Sequence, residues 1–216
     1  MKDIFIVDFD KTISMEDSTD LLMMIHNPEK RTILRAEYQK GNINILEYIK
    51  TAIESLNITE KEYSKTLREK MKVDKTFENF VKSGLDYRII SSGARINILE
   101  SLEGAGIKVD EKLVYSNIVN FDGNKITMEL PYMDKEKKNG VDKKGFVLKY
   151  QEQGKRVIFV GDGPSDYEAA HYADIVFARE GTRLIGYCEE NNIDFYSFSD
   201  FNDLLKQYKE EICETK

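Results

Sequence analysis

The sequence contains little cysteine. Cys188 and Cys213 are the only two in 216 residues, and they lie far apart. Neither belongs to a C-x-x-C motif or to a Cys/His pair with the spacing of metal ligands. The sequence therefore predicts neither a zinc site nor a disulfide framework, and a reducing interior is the expected environment.

The sequence also lacks long apolar runs and an excess of positive charge. Its amino-terminal apolar run, Ile4 to Val7, is too short for a signal peptide or a membrane span. We therefore expect a cytoplasmic protein that does not bind membranes. The formal net charge of -7 gives no general attraction for nucleic acid, so any phosphate binding requires a local site that holds a cation. No pattern indicates an oligomeric state.

What is present is the composition of a globular chain, with 41% apolar and 33% charged residues. The run Ile4 to Val7 predicts a short buried strand, and a helical block then extends to Ser83. Strand and helix patterns alternate after this block, as in a parallel α/β sheet. The sequence therefore predicts an α/β core, residues 1–13 and 84–216, with a helical cap, residues 14–83, inserted after the first strand. The predicted cap helices cover 18–25, 29–39, 44–56, a segment opened by the capping box of Thr59 and Glu62, and 74–82.

The elements predicted for the rest of the core follow from similar signals. Asp122-Gly123-Asn124 separates two strand-like runs and predicts a hairpin. The remaining segments are strands at 87–90, 156–160, 174–178 and 195–198, and helices at 96–104, 144–151, from about 165, and 200–212.

Polar residues follow three of the predicted strands, at the edge where α/β sheets bind ligands. Asp8 and Asp10 follow the first strand, and Ser91 with Ser92 follows the second. A later strand ends in Gly161-Asp162-Gly163-Pro164-Ser165-Asp166. Carboxylates gathered in this way are typical of a magnesium site. Ser91, Ser92 and the helix start beyond them are able to bind phosphate.

Each of these residues also has a structural interpretation. Asp is common at strand ends and helix caps, so Asp166 alone is explained as a cap. Ser91 is explained equally well as the N-cap of the helix near Arg95. Lys144 opens the helix before the last strand, but it also belongs to a lysine-rich segment that includes Lys143.

Taken together, the residues resemble the haloacid-dehalogenase superfamily of phosphatases. The four ordered motifs of that family are D-x-D-x-T, a Ser or Thr after a strand, a Lys, and G-D-x-x-x-D. Here they correspond to Asp8-Phe9-Asp10-Lys11-Thr12, Ser91, Lys144 with Lys143 as the alternative, and Gly161 to Asp166.

The resemblance implies a Rossmann-like core, a phospho-aspartate mechanism and a small phosphomonoester substrate. Asp8 would be the nucleophile and Asp10 the general acid/base. Mg²⁺ would be held by Asp8, the backbone carbonyl of Asp10, and Asp162, with Asp166 supporting the metal or the lysine. Ser91, Ser92 and Lys144 would bind the phosphoryl oxygens.

The resemblance also implies that the cap selects the substrate. Phosphoserine phosphatases read the amino acid with a Glu nine residues after the nucleophile, where this sequence has Asp17, and with a cap Arg. Residues 42–50 contain no Arg. Phosphoserine is therefore expected to be a poor substrate. A closer likeness is to the methionine-salvage 2-hydroxy-3-keto-5-methylthiopentenyl-1-phosphate phosphatase branch, carried by Val114 to Asn117, Leu130-Pro131, and Asp174 to Arg179. The cysteine-rich stretch of that branch is absent, which leaves the substrate open.

Three other functions are compatible with parts of the pattern. A phosphotransferase would use the same core, and a catalytically idle scaffold would keep the fold. A response-regulator receiver also gathers acids and a Lys around Mg²⁺. A receiver has its phospho-acceptor on a later strand than its acid pair and has no helical insertion of this size, which argues against that function. An idle scaffold normally loses the nucleophile or the acid, and both are retained here. Asp10 as general acid/base favours hydrolysis over transfer.

Overall fold

The computed structural model describes residues 2–213. Its strands are, in chain order, β1 (Lys2–Val7), β2 (Tyr87–Ala94), β3 (Val114–Asp122), β4 (Lys125–Glu129), β5 (Lys155–Gly161), β6 (Ile175–Arg179) and β7 (Tyr196–Phe198). Its α-helices are α1 (Ser18–His26), α2 (Pro28–Gln39), α3 (Ile45–Glu54), α4 (Glu60–Lys70), α5 (Phe77–Lys82), α6 (Arg95–Gly104), α7 (Lys143–Glu152), α8 (Tyr167–Tyr172), α9 (Arg183–Glu190) and α10 (Phe201–Gln207). A π-helical turn, Tyr208–Cys213, continues α10.

The strands form one sheet in the order β4-β3-β2-β1-β5-β6-β7. All neighbouring pairs are parallel except the β3–β4 hairpin, which is antiparallel and turns at Gly123 (φ 60°). The strand β1 lies between β2 and β5, so it is covered on both faces and on both edges. This position explains why its sequence is an apolar run rather than an alternating one. The predicted α/β fold class is confirmed.

Alternate residues of β1 enter two different core layers. Phe5 and Val7 pack with α5, α6 and α10 on one face of the sheet. Ile4 and Ile6 pack with α7, α8 and α9 on the other face. Because side chains alternate along a strand, this short run joins both layers and fixes the position of the residues that follow it.

The helices α1 to α4 form a separate layer above the carboxyl ends of the strands. Their capping residues correspond to the sequence signals: Asn44 with Glu47 and Thr59 with Glu62 form complete capping boxes. The apolar side chains of this layer pack together with Ile126 and Met128 of β4. The β3–β4 hairpin therefore supports the cap from the core side.

One helix of the predicted cap, residues 14–83, packs with the core of the sheet. Phe77 and Phe80 of α5 are fully buried in the core layer that contains Phe5. The two chain crossings between cap and core meet at an antiparallel bridge between Ser14 and Val73. We therefore propose that the cap comprises residues 15–72. This proposed boundary differs from the predicted one at 83 because the Phe77–Lys82 helix buries its aromatic face against the sheet.

The crossing point is held by a buried arginine. Arg179 Nη1 donates to the carbonyl oxygen of Thr12 (2.6 Å) and to Oδ2 of Asp74 (2.9 Å). It thereby joins the end of β6 to both chain segments that lead to the cap. Between residues 2 and 213, no helix has the length and apolar character needed to cross a bilayer.

Candidate active site

The carboxyl ends of β1, β2 and β5 meet at one edge of the sheet and bring the predicted site residues together. The backbone N–H of Asp8 donates to the carbonyl of Val160 on β5 (2.9 Å), which extends the parallel pairing to the end of the strand. Ser91 lies on β2, and Asp162 follows β5 directly. Asp8, Asp10, Ser91, Ser92 and Asp162 all line one pocket. The sheet order thus produces the cluster that the strand-end pattern predicts.

A buried lysine joins two of the acids. Lys143 Nζ lies 2.8 Å from Oδ1 of Asp8 and 2.6 Å from Oδ1 of Asp166. It also lies 3.2 Å from the hydroxyl of Ser165. Burial alone would lower the pKa of Lys143, but the charges of Asp166 and Asp8 outweigh it and raise the pKa, so the ammonium stays charged. Asp166 is therefore a partner of the lysine and not a simple helix cap.

The structure excludes Lys144 from the pocket, which corrects the lysine assignment. The side chain of Lys144 is 35% exposed, lies over the ring of Tyr172 and faces Glu168 at 3.9 Å. Lys143 and Lys144 are the first two residues of α7, and successive residues of an α-helix point about 100° apart. Lys143 faces the strand ends, so Lys144 faces α8. The alternative, Lys143, is the lysine of the site.

Two acids of this cluster, Asp8 and Asp162, have unusual pKa values. Burial, followed by the charge of Asp166, raises the pKa of Asp8 to about 7 in spite of Lys143. Burial, followed by the charges of Asp166 and Asp8, raises the pKa of Asp162 to about 9. Raised carboxylate pKa values at one strand edge are typical of sites that bind a cation or transfer protons.

Asp8, Asp162 and Asp166 form a group able to hold a metal ion, since one oxygen of each lies within 4.8 Å of the others. Oδ1 of Asp8 is buried and accepts no well-aligned hydrogen bond from the described residues, although the Lys143 ammonium lies beside it. Asp166 already accepts from Lys143 and from the backbone N–H groups of Asp162 (2.8 Å) and Gly163 (3.0 Å). Asp8 and Asp162 therefore offer the available oxygens, and hard oxygen donors fit Mg²⁺.

Asp10 occupies a different part of the pocket floor. Its Oδ1 accepts from the backbone N–H of Ser18 at the start of α1 (2.7 Å). Burial, followed by the charge of Asp17, raises the pKa of Asp10 to about 8. A carboxyl group with this pKa carries a proton near neutral pH, as a general acid requires. Its side chain is outside the three-acid group, so its predicted part in metal binding would be limited to its backbone carbonyl.

The end of β2 provides hydroxyls and backbone N–H groups beside the acids. Ser91 and Ser92 are 1% and 5% exposed. The Ser92 hydroxyl has no hydrogen-bond partner among residues 2–213, and Ser91 Oγ accepts only a short-range bond from the Gly93 N–H (3.1 Å). Ala94, not Ser91, stands at the N-cap of α6. The cap explanation for Ser91 is therefore wrong, and both hydroxyls are available for a bound phosphate.

The cap closes this floor into a cavity of about 720 Å³. Asp17 lines it and caps α1 by accepting from the backbone N–H of Asp20 (2.8 Å). Burial raises the pKa of Asp17 in spite of that bond. Sequence reasoning missed several other lining residues because only folding brings them here: Lys11, Asp20, Arg35, Tyr38, Gln39, Tyr48 and Arg183.

Asp20 accepts hydrogen bonds from several cap residues that the sequence did not indicate as part of the site. It accepts two hydrogen bonds from Arg31 (both 2.7 Å), one from Arg35 (3.3 Å) and one from the hydroxyl of Tyr48 (3.3 Å). Arg35 lies one turn after Arg31 on α2, so both guanidinium groups reach the same carboxylate. The pocket does contain a cap arginine, on α2 and outside the segment 42–50 where one was sought. Its charge is already shared with Asp20.

Comparisons with known proteins show that the chain is similar to phosphatases. The family model described as "Putative Phosphatase" matches residues 3–197. Polyol phosphate phosphatase PYP1 of Saccharomyces cerevisiae is 28% identical over 100% of this chain and 96% of its own length. The 2-hydroxy-3-keto-5-methylthiopentenyl-1-phosphate phosphatase of Bacillus pumilus is 27% identical over 100% and 94%.

The solved structures support the fold. A substrate-bound phosphoserine phosphatase complex has a TM-score of 0.70 at 17% identity, covering 95% of this chain and 98% of the other. A phospho-aspartyl intermediate analogue of phosphoserine phosphatase has a TM-score of 0.68 at 17% identity with the same coverage. A family model that spans most of the sequence decides the assignment: the chain belongs to the phosphatase family that this model describes.

Proposed function

We propose that the chain hydrolyses a small phosphomonoester in two steps, through a phospho-aspartate formed on Asp8. The observation that carries this proposal is the position of Asp8, whose carboxylate lies 2.8 Å from the buried Lys143 ammonium on the floor of the pocket that also contains Asp10. A buried carboxylate next to a fixed cation and a second, protonated carboxyl group suits nucleophilic catalysis with acid assistance.

In the first step, a carboxylate oxygen of Asp8 attacks phosphorus and the bond from phosphorus to the ester oxygen breaks. The departing alkoxide takes the proton of Asp10, and the alcohol leaves. In the second step, a water molecule attacks phosphorus while Asp10 accepts its proton. The acyl phosphate bond breaks, inorganic phosphate leaves, and the Asp8 carboxylate is restored.

The other residues of the floor bind the charge that the transferred group carries. The Lys143 ammonium and the hydroxyls of Ser91 and Ser92 would hold the non-bridging oxygens. Asp8, Asp162 and the backbone carbonyl of Asp10 would hold Mg²⁺. Bound magnesium supplies positive charge against the phosphoryl group and favours the ionised form of Asp8, whose pKa burial raises.

We further propose that the leaving group is small, hydroxylated and uncharged. The wall provided by the cap has several hydrogen-bonding groups, among them Asp17, Tyr48 and Gln39. Its arginine charge is shared with Asp20 and is not free for a substrate anion. The relatives named for a polyol phosphate and for a 2-hydroxy-3-keto phosphate both act on hydroxylated compounds by name.

Two matched Asp→Asn variants test the proposed chemistry with p-nitrophenyl phosphate, whose leaving group needs little acid assistance. Asp8→Asn removes the nucleophile, so no p-nitrophenol should form. Asp10→Asn still permits the first step but lacks the base for the second, so we expect a burst close to one equivalent per enzyme followed by slow turnover. A normal steady rate in Asp8→Asn would contradict the proposal.

The substrate class is tested with the wild-type enzyme. Phosphate release is measured with Mg²⁺ on glycerol phosphate, sugar phosphates, phosphoethanolamine and phosphoserine. The proposal expects the highest kcat/KM among the neutral hydroxylated esters. A maximum at phosphoserine would overturn the substrate class and leave the phospho-aspartate chemistry intact.

A further inference from the structure

A chain of buried hydrogen bonds connects the cap to Asp10. The hydroxyl of Tyr63, on α4, donates to Oδ1 of Asn97 on α6 (2.6 Å). Nδ2 of Asn97 donates to Oγ of Ser18, the first residue of α1 (2.9 Å). The Ser18 backbone N–H donates to Oδ1 of Asp10 (2.7 Å). Tyr63, Asn97 and Ser18 are each 0% exposed, so water does not compete for these bonds.

The amide of Asn97 fixes the direction of donation along this chain of hydrogen bonds. Its Oδ1 can only accept, so the Tyr63 proton points toward Asn97. Its Nδ2 can only donate, so Ser18 Oγ accepts from it, while the Ser18 backbone N–H donates to Asp10. Every donor therefore points toward the carboxylate. An amide in the middle of such a chain fixes the polarity that two hydroxyls alone would leave free to reverse.

The two oxygens of Asp10 consequently have different surroundings. Oδ1 is held by the amino end of α1. Oδ2 faces the end of β2, where a Cβ added to Gly93 would lie only 2.9 Å from it. Gly93 lines the pocket beside Ser91 and Ser92, so Oδ2 is the oxygen directed at the phosphate position. The absence of a side chain at residue 93 leaves the space that proton transfer from Oδ2 requires.

We infer that Ser18, Asn97 and Tyr63 are positioning residues that hold Asp10 through Oδ1 and thereby reserve Oδ2 for the leaving group. This inference rests on the proposed role of Asp10 as general acid. Ser18 holds the carboxylate through its backbone N–H, Asn97 fixes Ser18 through its side-chain oxygen, and Tyr63 orients Asn97. None of the three touches the substrate.

The chain of hydrogen bonds crosses a closely packed contact between α4 of the cap and α6 of the core. Gly104 of α6 lies against the backbone of Arg68 on α4, where a Cβ would collide with the Arg68 carbonyl oxygen. Arg68 also pairs with Glu100 and with Glu103 (3.1 Å) on α6. The two helices that carry Tyr63 and Asn97 are thus held at a fixed separation, and the orientation of Asp10 depends on the cap being docked.

The test compares two aryl esters that differ in how much acid assistance their leaving groups need. The value of kcat/KM is measured on p-nitrophenyl phosphate, a good leaving group, and on phenyl phosphate, a poorer one. A misdirected general acid slows the poorer leaving group more. Because general acid catalysis is worth 10² to 10⁴ in rate, we expect Ser18→Ala to lower the ratio of phenyl to p-nitrophenyl reactivity by about tenfold. This ratio is independent of the fraction of enzyme that is folded.

Three further variants separate positioning from packing. Asn97→Asp replaces the donor to Ser18 Oγ by an acceptor, so Ser18 loses the bond that fixes its backbone N–H against Asp10, and the ratio should fall as in Ser18→Ala. Ser18→Thr keeps the hydroxyl and should restore the wild-type ratio. Ser101→Ala removes a buried hydroxyl that donates to the Asn97 carbonyl oxygen (2.6 Å), outside the chain, and should leave the ratio unchanged.

The possible outcomes distinguish a failure of this inference from a failure of the proposed function. A fall of the ratio in Ser18→Ala and Asn97→Asp, with restoration in Ser18→Thr, supports the inference. An unchanged ratio in Ser18→Ala overturns the inference alone, since the wild-type enzyme would still be a phosphatase. A wild-type enzyme without activity on either ester with Mg²⁺ overturns the proposed function and this inference together.

Discussion

Lys143 Nζ lies 2.8 Å from Oδ1 of Asp8, and the side chains of both residues are almost completely buried. The adjacent Lys144 is a matched control, because it has the same chemistry on the same helix turn but faces α8. We expect Lys143→Ala to lower kcat/KM by at least about a hundredfold, since it removes a buried donor to the transferring phosphoryl group. Lys144→Ala should change it by less than about twofold, as an exposed charge does.

Thermal melts of both variants accompany the kinetics. Removing Lys143 leaves Asp8 and Asp166 as buried carboxylates without their partner, which is strongly destabilising. A Lys143→Ala enzyme that stays folded and active would contradict the assignment. So would a larger loss in Lys144→Ala.

The sequence does not decide which of these two lysines faces the acids at the strand ends. Adjacent helical residues are equally compatible with a motif, and only the N-cap at Asp142 and the docking of α7 decide which one faces the strand ends. Arg35 is a similar case, because its place in the pocket follows from how α2 packs above the sheet. The strand-end acids, in contrast, were predictable because β1 must lie in the centre of the sheet to bury Ile4 to Val7.

Some helices of the cap could be predicted from local sequence signals alone. Local signals such as the capping box of Thr59 and Glu62 need no tertiary context, and the structure contains that box. The spacing of α5 does not reveal which surface covers Phe77 and Phe80, so the sequence alone does not place this helix against the sheet. The helix predicted at 200–212 continues from α10 into a π-helical turn, in which the Tyr208 hydroxyl donates to Asp3 (2.7 Å).

The second prediction concerns the proposed metal site. Mg²⁺ should raise the melting temperature of the wild-type protein, because a ligand that binds only the folded state stabilises it. Asp162→Asn should abolish this shift. Asp10→Asn should retain it, since Asp10 is proposed to bind through its backbone carbonyl. Equal shifts in Asp162→Asn and the wild type would contradict the proposed ligand set.

The magnesium shift should also depend on pH. Burial raises the pKa of Asp8 to about 7 and that of Asp162 to about 9, so both carboxyl groups must lose protons before they bind a cation. The rise in melting temperature caused by Mg²⁺ should therefore be larger at about pH 8 than at about pH 6. These two pH values lie about one unit above and below the pKa of Asp8. A shift that is independent of pH would count against these carboxylates as ligands.

The third prediction uses two helical glycines as a matched pair. Gly104→Ala brings a methyl group against the backbone of Arg68, whereas a Cβ at Gly186 in α9 meets no atom within 4 Å. Alanine favours helix by about 1 kcal/mol over glycine, so Gly186→Ala should be neutral or stabilising. Gly104→Ala should instead lower the free energy of unfolding by about 1 to 3 kcal/mol, because overpacking outweighs propensity. Denaturant unfolding of both variants measures this, and a stabilised Gly104→Ala would contradict the close contact of α4 with α6.

The fourth prediction concerns stability and pH. Burial alone would raise the pKa of Asp20, but hydrogen bonds and charges from Arg31 and Arg35 outweigh it, and the pKa is lowered. A lowered folded-state pKa stabilises the protein above the unfolded value of about 3.9 and stops doing so as the pH falls through the folded value. The wild type should exceed Asp20→Asn in stability by about 1 kcal/mol near neutral pH, since the cluster is partly exposed. This difference in stability should shrink as the pH falls below the unfolded pKa and through the lower folded-state pKa, and a difference that stays constant with pH would contradict the ion-pair account.

The last prediction concerns substrate selection by the same cluster. In the wild type, Asp20 accepts from both Arg31 and Arg35, so no cap arginine is free to bind the carboxylate of phosphoserine. Phosphoserine should therefore have a kcat/KM at least about tenfold below that of glycerol phosphate. Asp20→Asn leaves two guanidinium groups without their anion and should narrow this difference by about tenfold, the effect of one charge-assisted hydrogen bond. Adding Arg35→Ala to Asp20→Asn should reverse the gain, because Arg35 is the exposed member of the pair and lines the pocket. If the double variant keeps the gain, the carboxylate is bound elsewhere; if Asp20→Asn produces no gain, pairing with Asp20 is not what excludes anionic leaving groups.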